Sequence, residues 1–413
     1  MRTRRYILLL LFCMEVIPPL CYAIDIDYRA STRIGWIMPD GKVDVVTGQC
    51  NAWYGPTFSA DLSITFRPNW ESLRQWNRAG WGVGLSYWHL NHQLLGQAIA
   101  PYTYMDIALV RRPHFILGIR PAIGMAFMTK TYQNTVPEGH LYQDVTNANQ
   151  CIGSVFNFYF PEAIYMDFPI VQGWAIMVGG GWYHISNGSI RQPNSGYNTF
   201  AAEIGVRYAP TAQENTVSAK QEDKTTPSIH RAWDLELSLT GGGRQVYYKD
   251  QQTFFVSELQ LAAYWRAHSI FRLGGGIDVF YDGAYTPRTT DFRKTNLAAA
   301  QKGDCWRVGV SLQPEFVIGN LTAGFHIGAY LYDPVKELEP ADEAQKSVTG
   351  RIHRPIFYKY DILKAGSAGY PDGWLYTQVV LRYHLPWHIF IQGTMKSHIT
   401  KVEFMSLGIG VYY

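Results

Sequence analysis

Past residue 23 this chain alternates. In Met405-Ser406-Leu407-Gly408-Ile409-Gly410-Val411-Tyr412-Tyr413 the odd positions are Met, Leu, Ile, Val and Tyr, and the even ones are mostly small. A period of two sends successive side chains to opposite faces of a strand. Sixteen segments read as strands. Eight lie near 29–38, 56–67, 79–90, 97–111, 114–130, 151–168, 171–187 and 195–209. Eight more lie near 231–246, 252–267, 269–283, 304–317, 319–333, 373–385, 387–399 and 401–413. Several exceed the ~9–11 residues that cross a bilayer on a tilt. No run past residue 23 approaches the ~20 apolar residues of a spanning helix, because charges and Asn, Gln or Ser interrupt each one. The other structure that satisfies its backbone inside a membrane is a closed barrel. The expected fold is all-β, an antiparallel transmembrane β-barrel. A soluble β-sandwich with one buried face would alternate in the same way. Composition tips the balance. Aromatics make up 15% of the chain, with 28 Tyr and 13 Trp, and charged residues only 17%, against about 25% in ordinary soluble domains.

The N-terminus supports a membrane destination. Arg2, Arg4 and Arg5 precede an apolar run from Tyr6 to Met14, and Cys21-Tyr22-Ala23 ends it. That pattern reads as a secretory signal peptide over 1–23, with the mature chain starting near Ile24. A lipoprotein reading of Cys21 meets poor lipobox residues in Pro18, Pro19 and Leu20. The terminal Tyr413 resembles the signal read by the outer-membrane barrel assembly machinery. Residues 210–230 hold almost no large apolar side chain and read as a polar periplasmic linker. Periplasmic turns of a single barrel are short. Two tandem eight-stranded units, 24–209 and 231–413, therefore fit better than one barrel of sixteen strands. Glycine runs at 179–181, 241–243 and 274–276 lie inside strand patterns and read as close-packing or bending positions.

Other classes are disfavoured. A net charge of +3 without a basic cluster gives no sign of nucleic acid. Cys50, Cys151 and Cys305 match no zinc spacing. Cys50 and Cys151 both fall in predicted outer segments, and sequence leaves their pairing open, as it does a homodimer. No Gly-x-Ser-x-Gly elbow, His-Glu-x-x-His helix or phosphate loop occurs.

The chemistry concentrates at 183–198. Counting strands from a periplasmic start sends the 171–187 segment outward, so its end lies at the outer rim. Its even row, Trp174 through Trp182, His184 and Ser186, is the bulkier and faces lipid. His184 and Ser186 then stand on one face, ~6.5–7 Å apart along the strand. An imidazole leaning over can accept the hydroxyl proton, as an activated serine requires. On the next strand Asn198 shares this face and can orient His184, while Glu203 and Arg207 fall in the lumen, where they could pair. Asn187, Asn194 and the Gly188 amide are donors near a developing oxyanion. Lys130 and Arg191, with Trp182 at the interface, are candidates for holding a substrate at the rim. Lys130 and Arg191 also read as ordinary rim charges. A His-x-Ser pair arises often by chance, and Ser and Asn are common turn residues. An echo, Trp387-His388-Ile389 and His398-Ile399-Thr400, precedes the last strand. His398 there lacks the following Asn and reads as a plain barrel histidine.

His184, Ser186, Asn187 and Asn194, within His-Ile-Ser-Asn-Gly-Ser-Ile-Arg-Gln-Pro-Asn, resemble the site of the lipid A 3-O-deacylase, or PagL-like, family of outer-membrane acyloxyacyl hydrolases. The form is the long one seen among Bacteroidetes-type bacteria. Residues 118–132 and 149–157 extend the likeness. The resemblance implies an eight-stranded barrel, a Ser nucleophile and His base, and hydrolysis of the ester-linked 3-position acyl chain of lipid A in lipopolysaccharide. It implies no metal or cofactor. The family's third member is Glu, and Asn198 stands there. Either Asn198 orients His184, or the third group lies elsewhere, or activity is weak. The rival readings are a non-enzymatic barrel (channel, adhesin or assembly factor) and a phospholipid esterase.

Overall fold

The computed structural model describes residues 24–38, 54–68, 79–138, 148–210, 233–246, 252–268, 270–289, 297–338, 351, 353, 373–398 and 401–413. The expected signal peptide, the 210–230 linker and Cys50 lie outside the described residues or almost wholly so. Among the described residues Cys305 carries a free thiol.

Each of the sixteen expected segments holds strand. The first eight form β1 (Ile24–Ile37), β2 (Tyr54–Pro68), β3 (Gly80–His89), β4 (Gln97–Arg112), β5 (Phe115–Arg120), β6 (Ala122–Met128), β7 (Phe156–Val171), β8 (Trp174–Ser186) and β9 (Tyr197–Tyr208). The fifth segment is split, because Pro121 has no N–H to give the ladder. Its halves share both neighbours: β4 and β7 each pair with β5 and β6. With β1 bonded to both β2 and β9, and β3 to β4, the neighbours run full circle. The N-terminal sheet is thus a ring of eight strand positions.

The second half forms β10 (Trp233–Arg244), β11 (Phe254–His268), β12 (Phe271–Asp282), β13 (Trp306–Ile318), β14 (Leu321–Tyr332), β15 (Leu375–Leu385), β16 (Ile389–His398) and β17 (Lys401–Tyr412), a closed eight-stranded barrel. Closure runs from Glu236 opposite Tyr412 to Gly241 opposite Leu407. No described strand of one ring pairs with a strand of the other. The chain is two tandem barrels, not one of sixteen strands.

The faces follow the alternation. On β17 Leu407, Ile409 and Val411 are exposed; on β10 so are Leu235, Leu237 and Leu239. An apolar belt of this extent is at home in lipid. The interiors are polar and filled. In the first barrel Arg29 pairs with Asp106 and Asp167, Arg33 with Asp61 and Glu203, and Arg67 with Asp27. In the second, Arg272 bridges Glu236 and Glu315, and Lys396 meets Glu403.

Two expectations change here. Glu203 and Arg207 both point into the lumen but do not pair with each other. Glu203 takes Arg33 and Arg120, while Arg207 takes Asp27 and Asp167. Four residues along a strand is ~13 Å, whereas Arg33 stands directly opposite Glu203 in the β1–β9 register. The echo at His398 also fails to reproduce the first site. Ten residues separate Trp174 from His184 but eleven separate Trp387 from His398. One extra residue flips the face, and His398 is buried in the lumen against Glu403.

Candidate active site

In the first barrel three long connections lie at one end: those after β1 and β6, and the β8–β9 hairpin of residues 187–196. The opposite end has two-residue turns at 113–114 and 172–173, beside the longer 69–79 connection after β2. The site sits at the long-loop end. The even row of β8 is on the outer face, with Ala175, Met177, Tyr183 and Ile185 buried on the other.

His184 lies opposite Asn198 in the β8–β9 register, and Trp182 opposite Phe200. That register brings three expected residues together. Ser186 Oγ is 2.7 Å from His184 Nε2, and His184 Nδ1 is 2.8 Å from Asn198 Oδ1. Trp182 supplies a fourth group, since its indole N–H donates to the same Asn198 oxygen at 3.2 Å. This fixes the protons. An indole N–H only donates, so the Asn198 atom facing it is the amide oxygen. His184 Nδ1 must then carry its hydrogen. Nε2 is left with a lone pair aimed at the serine hydroxyl. The Trp182 ring also stacks on His184, with centroids 5.2 Å apart at 22°, and Phe160 flanks the imidazole at 6.1 Å.

The hairpin is tied internally. Asn187 Nδ2 donates to Ser154 Oγ at 2.9 Å and to the Arg191 carbonyl at 2.8 Å, and the Asn187 N–H donates to Asn194 Oδ1 at 3.0 Å. Both side-chain hydrogens of Asn187 are therefore occupied in holding the loop. Among the described residues the Gly188 N–H and Asn194 Nδ2 meet no acceptor. Gly196 N–H donates to the Cys151 carbonyl at 3.0 Å, bracing the hairpin on the preceding loop. Ser154 is a contributor that the sequence does not single out, since only the fold lays residue 154 beneath residue 187. Lys130 and Arg191 are half-buried near the same end, without an ion-pair partner among the described residues. Lys130 follows β6, which β7 separates from β8.

Below the pair, the outer face opens into a groove of about 700 Å³. Its floor is Gly179, Gly180, Gly181, Ala163, Ala201 and Ala202, with Trp182, Phe200, Ile164 and Glu162 around it. The glycine run thins the wall. A Cβ on Gly181 would fall on the Glu162 carbonyl oxygen. The break at Pro121 widens the far side, and there the Ala122 N–H turns to the Glu162 carboxylate at 3.3 Å.

Two closed antiparallel rings with apolar outer faces and charged, filled lumens define a transmembrane β-barrel protein. Residues 58–207 match the family model described as lipid A 3-O-deacylase (PagL), and residues 233–342 match that described as acyloxyacyl hydrolase, C-terminal domain. The two models cover more than half of the chain, and it belongs to the PagL-like family, hydrolases of acyl esters. No curated protein matches it. Similar solved structures include Neisserial surface protein A, at 11% identity and TM-score 0.26, over 45% of this chain and 98% of that one. A mutant porin of Rh. blastica matches at 9% identity and TM-score 0.18, over 94% of this chain and 100% of its own. The ferric enterobactin receptor of Pseudomonas aeruginosa matches at 9% and 0.26, over 96% and 68%. Scores of that size add nothing to a topology already given by the strand pairings.

Proposed function

We propose that the chain is a bacterial outer-membrane serine esterase that removes the ester-linked 3-position acyl chain of lipid A. The observation that carries this is the Asn198–His184–Ser186 relay, at 2.8 and 2.7 Å, on the outer face of β8. Ser186 Oγ attacks the ester carbonyl while Nε2 takes its proton. The oxyanion meets the Gly188 N–H and Asn194 Nδ2. Collapse expels the sugar 3-oxygen, which takes the proton back from Nε2. Water, deprotonated by the same nitrogen, then attacks the acyl-serine and releases a 3-hydroxy fatty acid. The groove beneath Trp182 is of a size that ligand sites span, and it is lined to take an acyl chain entering from the outer leaflet. Lys130 and Arg191, cations at the same end, are the residues assigned to the phosphorylated sugar. Residues 24–209 form the catalytic unit, 210–230 the periplasmic linker, and 231–413 a barrel without a pair of its own.

Lipid A from a host expressing the chain is expected to lose one 3-hydroxyacyl group by mass spectrometry. Ser186→Ala and His184→Ala are each expected to abolish that loss. Continued release by both variants would overturn the mechanism. Fatty acid drawn from phospholipid instead would move the substrate.

A further inference from the structure

We propose that the C-terminal barrel positions the catalytic hairpin of the N-terminal one, with Gln245 and Met405 as positioning residues. The hairpin runs through two consecutive left-handed residues, Gly188 at φ 61° and Ser189 at φ 67°. A left-handed residue with a side chain is disfavoured by about 1–2 kcal/mol and persists where its surroundings over-determine it. The surroundings on one side belong to the other barrel. Gln245, just after β10, donates its N–H to the Ser189 carbonyl at 2.8 Å. Its side-chain oxygen accepts the Gln192 N–H at 3.1 Å, and its carbonyl accepts from Gln192 Nε2 at 3.4 Å. Ser189 Oγ donates to the Val402 carbonyl on β17 at 2.9 Å. Met405 lies against Gly188 so closely that a Cβ there would collide with its side chain.

These contacts bracket Gly188, two places from Ser186, whose amide the proposed mechanism assigns to the oxyanion. The hairpin's own barrel holds the opposite side through Ser154 and Cys151. Main-chain groups that would otherwise need water are satisfied across the two barrels. This role rests on the deacylase reading above, and its test separates the two.

In the full-length chain Gln245→Ala is expected to lower kcat about tenfold with KM little changed, the cost of a small misplacement of reacting groups. Gln245→Glu keeps an acceptor for the Gln192 N–H and should retain most of the rate. Gly188→Ala is expected to lose more, and Gly188→Ala with Met405→Ala to recover severalfold over it. Met405→Ala alone supplies the fourth corner of the cycle. Heat-modifiable migration on gels certifies that each variant is a folded barrel. A parallel readout is trypsin cleavage after Arg191 on intact cells: resistance in the wild type, cleavage in Gln245→Ala. Additive effects in the cycle, or unchanged kcat and unchanged protection in Gln245→Ala, would overturn the positioning role. A wild-type chain that releases no fatty acid would sink the deacylase reading instead, while protection at Arg191 still decides whether the second barrel holds the hairpin.

Discussion

Asn198 differs from a carboxylate in one respect that matters to the relay. An amide oxygen can hold His184 in the correct tautomer, but it carries no charge to stabilise the imidazolium that the proposed attack would form. Asn198→Asp restores that charge where Trp182 already donates. A charge-assisted hydrogen bond exceeds a neutral one by about 1.4 kcal/mol, so kcat should rise about tenfold. Steady-state rates on purified lipid A check it, and a fall would mean that the site is built around a neutral third group. Trp182 acts on the same atom from the other side. Trp182→Phe keeps the ring on His184 and removes only the N–H. The amide of Asn198 is then free to turn over, and about 1 kcal/mol of orientation is lost, roughly fivefold in kcat. The parity of β8 placed His184 and Ser186 side by side without any structure. The Trp182 bond to Asn198 was not legible, because it crosses from one strand to the next and depends on register.

Among the elements, β8 and β9 together make both the relay and the groove. The relay needs large side chains at the rim, and the groove needs small ones below. The sequence His184, Trp182, Gly180 down β8 supplies both on one face. Ala202, opposite Gly180 on β9, is exposed in the groove floor. Ala202→Phe should fill it while leaving the relay intact. KM for lipid A is expected to rise about tenfold, the cost of displacing a few buried methylenes, with kcat less affected. An unchanged KM would place the acyl chain elsewhere. The glycine run was legible as a bending or packing signal. Its joint use with the break at Pro121 was not, since β5 and β8 lie on either side of β7.

For the whole molecule, the filled lumens argue against an open pore. Arg33 is 3% exposed and joins Asp61 at 3.2 Å to Glu203 at 3.0 Å. Arg33→Ala leaves two carboxylates facing each other in a dry interior, and breaking such a pair costs about 3–5 kcal/mol. Urea titration of the chain refolded into vesicles should show that loss as a lower midpoint. A variant as stable as the wild type would mean that water enters the lumen and screens the acids. The fold also assigns the second half a place beside the first. Its outer hairpins reach the 187–196 loop, which a reading of either half alone does not suggest.

What the amino-acid order determined by itself is everything local. The pleat has a period of two, so alternation named the strands, their faces and the side on which His184 and Ser186 stand. Short turns against long loops named the end. What only the tertiary structure decided is everything that closes a ring or spans one. Eight strands closed twice because β1 found β9 and β10 found β17, pairings between distant residues that carry no local signal. Glu203 and Arg207 took partners on other strands, Arg33 and Asp27 of β1 among them, for the same reason. The left-handed turn at Gly188 and Ser189 is supported from a barrel whose first strand begins more than forty residues later.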